Sequence, residues 1–296
     1  GSYLKMKSKL DFGTIIGLLL GFSCIFISMV WPQSPPKELI VSDSIFRWEQ
    51  LTWFFQWQSV FIVLGGVLSA TLVNYPIKAV LNLGSVFSNV VRSENFDFGN
   101  TINKIVKLAE KSRKDGLLSL ESDLDSIDSV FLRNGVELAI NERDSSRLRT
   151  FLTMDLNNIS TRHLGGQEII LYMAAYAPAF GMLGTVLGLI VMMNKFQMGG
   201  EVSSVEFSVA TKFTELLTGM GTALITTFYG VLLANMMFLP IAGKLKRMSE
   251  NELMLKSIVL EGIISIHGRE HPILIREKLM TFVSLSERNK HSEKTE

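Results

Sequence analysis

The chain has 296 residues, enough for one or two soluble domains, but a mean hydropathy of +0.29 and only 19% charged residues point to the membrane class. Its formal net charge of +1 comes from 29 Lys and Arg against 28 Asp and Glu without a basic block, so nothing marks a nucleic-acid partner. The single cysteine, Cys24, excludes an intrachain disulfide; with no second Cys or nearby His it reads as packing.

In chain order, GSYLK reads as an appended leader before a natural start at Met6, within a cytoplasmic N-terminus over 1–10. Residues 11–31 carry no charge after Asp11 and follow Lys5, Lys7 and Lys9, which predicts a first, uncleaved membrane helix. Pro32, Pro35 and Pro36 end it. The connection over 32–58 carries Trp48, Trp53 and Trp57 with Phe46, Phe54 and Phe55, an aromatic cluster suited to the bilayer interface on the extracytoplasmic side. A second span is predicted over 59–76, closed by Pro76 and Lys78.

Between residues 77 and 168 the chain turns polar, and Ile102, Ile105, Val106, Leu108 and Ala109 recur at helical spacing. This predicts a cytoplasmic domain of amphipathic helices. Gly116 marks a C-terminal stop, Ser119 and Ser122 a new helix start, and Gly165 with Gly166 a hinge. Spans three and four are expected over 169–194 and 209–242, joined by an extracytoplasmic loop over 195–208, with a cytoplasmic tail over 243–296 whose ERNKHSEKTE end is expected to fray. Lys and Arg concentrate on one side of these spans, which puts both termini in the cytoplasm. The fold class is therefore an all-α integral membrane protein: four transmembrane helices, a helical domain between the second and third, and a helical tail.

The third and fourth spans are rich in small residues. Gly181, Gly184, Thr185 and Gly188 share one helix face, as do Gly219, Ala223, Thr226, Thr227, Gly230 and Ala234. The plain reading is close helix packing, with Thr hydroxyls bonded one turn back. A sharper one is that Thr185 and Thr227 present hydroxyls to a hydrated ion path. Thr185 lies 17 residues after Glu168 and Thr227 lies 17 before Lys244, which at helical rise is roughly 25 Å from either end and sets the two hydroxyls level in antiparallel neighbours. No Asp, Glu, Lys, Arg or His occurs over 169–194 or 216–243, so any ionisable group on an ion path must come from another polypeptide. HExxH, GxSxG, P-loop and paired-acid patterns are absent, and His163, His267 and His271 read as surface or capping residues. No enzyme, metal or cofactor is expected.

Five stretches carry a family resemblance: SVFIVLGGVLSATLVNYP from Ser59, AEKSRKDGLLSLE from Ala109, FLRNGVELAIN from Phe131, APAFGMLGTVLGLI from Ala177 and GTALITTFYGVLLANMMFLPIAGKL from Gly221. In this order they resemble the flagellar stator family of MotA and PomA and, more distantly, TolQ and ExbB. The resemblance implies a subunit of the bacterial inner membrane, five copies of which surround two single-span MotB/PomB-type partners whose membrane Asp binds the transported proton or sodium ion. It also implies that Thr185, Thr227 and Thr226 belong to the ion path, with Gly181, Gly184, Gly188, Ala223 and Gly230 packing around the partner. Pro178 and Pro240 would couple ion flow to motion, and Arg113, Lys114 and Glu121 would engage the rotor protein FliG. Membrane lipid and further copies of the chain complete the implied partners. A TolQ/ExbB-type energiser of an outer-membrane system and a passive membrane scaffold are the competing readings.

Overall fold

The computed structural model describes residues 9–31, 48–84, 90, 92–93, 96–198 and 205–283. The leader expected at 1–5, much of the 32–58 connection and the ERNKHSEKTE end lie outside the described residues. Apart from two-residue strands at Lys9–Leu10 and Arg92–Ser93, the described elements are helical. Four of them are long and apolar enough to cross a membrane. The chain forms two compact units: a membrane unit of residues 10–91 and 166–244, and a polar unit that takes in 92–165 and the segment after 244.

In the membrane unit, α1 (Phe12–Val30) starts where the Asp11 carboxylate accepts the Gly13 N–H at 3.1 Å and the Thr14 hydroxyl at 2.8 Å. It stops at Trp31, whose extended backbone is the one a residue before proline adopts. The second span opens with a 3₁₀ segment, Trp48–Phe54, and continues through α2 (Trp57–Val60), a π segment (Phe61–Gly65) and α3 (Gly66–Asn74). The aromatic stretch forms a separate 3₁₀ segment, divided from the helix by extended Gln56, and only Trp57 of it joins the helix itself. Phe54 packs tilted against Phe228 with ring centroids 6.1 Å apart and its carbonyl accepts the Tyr229 hydroxyl, while Trp53 and Trp57 stay exposed. Tyr75 ends the span before Pro76, and α4 (Ile77–Leu81) follows.

The polar unit begins with α5 (Phe98–Asp115), capped by Asp97 and ended by Gly116 at φ 83°, a left-handed stop that glycine takes without strain. The helix start expected at Ser119 and Ser122 is instead a 3₁₀ segment, Leu117–Ser126. The reason is local: the Ser119 hydroxyl turns back onto the Gly116 carbonyl at 2.6 Å. Ser129 is the residue that caps α6 (Val130–Asn141).

Two long helices contribute to both units. The α7 helix (Ser145–Met198) contains the expected third span, and the chain passes through Gly165 and Gly166 without a break. A helical glycine costs only about 0.5–1 kcal/mol, which continued hydrogen bonding on both sides outweighs. The fourth span runs through α8 (Val205–Leu232), a π segment (Leu233–Phe238) and α9 (Leu239–His267), followed by α10 (Pro272–Met280).

In the polar unit, Ile258, Ile263, Ile275 and Leu279 from this C-terminal part pack fully buried against Ile102, Ile105, Leu120, Leu148 and Leu152. The segment after Gly243 is therefore half of a core rather than a solvated appendage. Arg149 grips Glu261 through both guanidinium nitrogens at 2.6 and 3.1 Å, with Lys278 at 3.3 Å. These bonds hold the Glu261 carboxyl below its usual range.

Candidate functional site

The α7 and α8 helices meet along a seam of small residues, and its register is antiparallel. A Cβ on Gly184 would sit 2.6 Å from Thr226 Cβ, one on Gly188 3.2 Å from Ala223, and one on Gly219 2.7 Å from Met192 Cβ. At Gly230 the added carbon would lie 2.5 Å from the Ala177 carbonyl oxygen, and at Gly181 3.0 Å from that of Thr226. Backbone contact this close is possible only without side chains.

Midway along the seam, the Thr185 and Thr227 hydroxyls lie 2.6 Å apart. Thr185 also donates to the Gly181 carbonyl at 3.1 Å, with that of Ala223 at 3.4 Å. Each oxygen keeps lone-pair capacity to accept from, or ligate, a further group. Both threonines are partly exposed, and their neighbours one turn away, Leu189 and Leu224, stand 41% and 67% exposed. The hydroxyl pair therefore interrupts an otherwise apolar face that suits an apolar partner helix. Thr226 departs from the expected grouping: it is fully buried, donates to the Ala223 carbonyl at 2.8 Å and fills the space opposite Gly184. A helical turn of 100° separates it from Thr227 and turns it into the seam.

Pro178 lies inside α7, where it denies the Ala174 carbonyl a backbone donor. Pro240 lies in the first turn of α9, two residues past the π segment Leu233–Phe238, at whose end the Leu239 N–H reaches back five residues to Ala234. The widened turn gives the pyrrolidine ring the room that a regular helix denies it. Sequence reasoning places the proline but not the π segment, because nothing in the local composition distinguishes one.

Arg113 and Lys114 lie on the last turn of α5 and Glu121 on the 3₁₀ segment, all exposed and without an ion pair or side-chain hydrogen bond among the described residues. The segment presenting them is fixed by Lys111, which bonds Asp123 at 2.7 Å and Ser122 at 3.1 Å, and by fully buried Leu120. Elsewhere in the polar unit, His271 caps α10 and His267 meets the Glu142 carbonyl at 2.9 Å. His163 is half-buried between Ser249 at 3.0 Å and Glu252 at 3.7 Å. Burial pushes its pKa down, against the pull of Glu252.

Two polar contacts of the membrane unit were not legible in the sequence. Gln56 donates to Thr222 at 3.1 Å and accepts from fully buried Ser59 at 3.2 Å. Lys244 pairs with Asp11. Helix-cap spacing signals Asp11, but its partner is 233 residues away.

The family model described as the MotA/TolQ/ExbB proton channel family matches residues 123–257. Motility protein A of Borreliella burgdorferi is 31% identical over 280 residues, covering 95% of this chain and 96% of that protein. The chain belongs to the MotA/TolQ/ExbB proton channel family. Chemotaxis protein PomA of Vibrio alginolyticus is 26% identical over 94% of this chain and 98% of that protein. The fold is also that of the flagellar MotAB stator complex from Bacillus subtilis, with a TM-score of 0.77 at 24% identity, covering 95% of this chain and 99% of that one. The protein is thus a multi-pass membrane subunit of the flagellar stator type, in a family of channel and motor subunits rather than enzymes.

Proposed function

We propose that this stator subunit lines an ion path with Thr185 and Thr227, and that flux along it drives rotation against the flagellar rotor. The observation that carries the reading is the 2.6 Å hydroxyl pair on a span face with no ionisable residue of its own. Two hydroxyl oxygens are mild ligands that pass a proton carrier or a sodium ion without trapping it. The carboxylate then comes from a single-span MotB/PomB-type partner. Five copies of this chain surround two of the partner, with both termini in the cytoplasm of a bacterial inner membrane, and no cofactor beyond the transported H+ or Na+ is required.

In this reading Gly181, Gly184, Gly188, Ala223, Gly230 and Thr226 set the helix spacing behind the path. Pro178 and Pro240 are the points where its helices yield to ion movement. Arg113, Lys114 and Glu121 engage FliG: unpaired charges on a pinned segment favour fast, reversible encounters over tight binding.

The test is Thr227→Val, which keeps the volume and removes the hydroxyl. Cells carrying it at wild-type abundance in the membrane are expected to lose swimming torque, and Thr227→Ser to keep it. Undiminished torque in the Val variant would remove Thr227 from the path. Motility with the sodium gradient collapsed and the proton gradient held identifies the ion: persistence means protons, arrest means sodium.

A further inference from the structure

We infer that the Asp11–Thr14–Lys244 cluster is a latch that holds α1 to the fourth span, and that Lys244 is a positioning residue for torque generation. Lys244 lies four residues after Pro240, and its ammonium donates both to the Asp11 carboxylate and to the Thr14 hydroxyl, the latter at 2.6 Å. Thr14 in turn donates to Asp11 at 2.8 Å, so the three groups form a closed set with the Lys244 side chain only 14% exposed. This is the only ion pair among the described residues of the membrane unit. A charge pair at the edge of a span, partly withdrawn from water, is held together because separating it strands a poorly solvated ammonium.

A second contact on the same helix points to the same role. Gly21 of α1 lies against Met236, in the middle of the π segment, so closely that any side chain there would overlap the Met236 methyl group. Two attachments to α1 therefore bracket Pro240, an apolar one at Met236 within the π segment and an ionic one at Lys244. Elsewhere α1 packs against the Trp48–Phe54 segment, and Val30 at its far end is its one buried residue. With the latch closed, α1 moves with the irregular part of the fourth span. With it open, only the apolar contact at Met236 couples α1 to the π segment, and less displacement reaches α1.

The inference rests on the ion-path reading, and the test separates the two. Asp11→Asn keeps a good helix cap and removes the charge pair, Lys244→Met removes the ammonium at similar length, and Lys244→Arg keeps the charge. In the full complex co-expressed with its partner, torque per assembled stator and ion flux per complex are measured together. Asp11→Asn, Lys244→Met and their double variant are each expected to lose torque several-fold by the same amount, with flux retained, and Lys244→Arg to restore torque. Full torque in both single variants would overturn the latch, as would torque and flux falling in proportion, which marks a general structural loss. Failure of the ion-path reading has a different signature, namely wild-type flux in Thr227→Val.

Discussion

Replacing Gly230 by Ala puts one methyl group where the structure leaves no room. The new carbon would lie 2.5 Å from the Ala177 carbonyl oxygen and 3.1 Å from Gly181 Cα, both main-chain atoms that no rotamer change can move. Contact at roughly 3.5 Å requires α7 and α8 to part by about 1 Å. Overpacking of this kind costs about 1–3 kcal/mol. Gly221, on the same helix, meets nothing within 4 Å, so Ala there gains about 0.5–1 kcal/mol of helix propensity. Both positions are helical and share the propensity gain, so the two substitutions should differ by the overpacking term alone, about 1–3 kcal/mol. Thermal unfolding of the purified complex in detergent reads the difference directly: Gly230→Ala is expected to melt below wild type and Gly221→Ala at or above it. Gly188→Ala, whose Cβ would meet Ala223 at 3.2 Å, should fall between them. Equal melting of the Gly230 and Gly221 variants would refute the seam as a backbone-to-backbone contact.

Two acid-sensitive windows follow from the polar unit. His163 is held below its ordinary pKa of 6.5 by burial, so the unfolded state takes up its proton first and stability falls as pH drops through 6.5. Glu261 is held below 4.5 by Arg149, so its contribution is present above 4.5 and lost as pH falls through the lower folded value. Denaturation midpoints across pH should show both steps, with Glu261→Gln removing the more acidic one alone. Reversing charge at Arg113 and Glu121 should abolish swimming and recruitment of the complex to the rotor without changing its melting temperature, because neither side chain has a partner among the described residues. Ile263→Ala, at a fully buried core position, should destabilise the polar unit by about 2–5 kcal/mol in chemical denaturation.

The sequence was most informative where one residue type acts alone. Apolar runs without charge gave the spans, Gly116 gave the end of α5, and equal 17-residue offsets from flanking charges put Thr185 and Thr227 level, which the 2.6 Å contact bears out as geometry. It was least informative where the outcome is a balance between distant segments. The run SIVLEGIISI, from Ser257, lies beyond the predicted fourth span, and its Ile258 and Ile263 complete the polar core only against helices more than 100 residues away. Gly165 and Gly166 carry the composition of a hinge, but flanking helix propagates through them. Thr226 and Thr227 are chemically identical neighbours, and only the 100° step between them assigns one to the seam and the other to the open face.

The most direct test of the account is ion flux into liposomes carrying the complex of this chain with its single-span partner, under an imposed gradient. Wild-type complex is expected to admit the driving ion, and Thr185→Val combined with Thr227→Val to block it while the complex stays assembled. Unchanged flux through the double variant would contradict the claim that this hydroxyl pair lines the path.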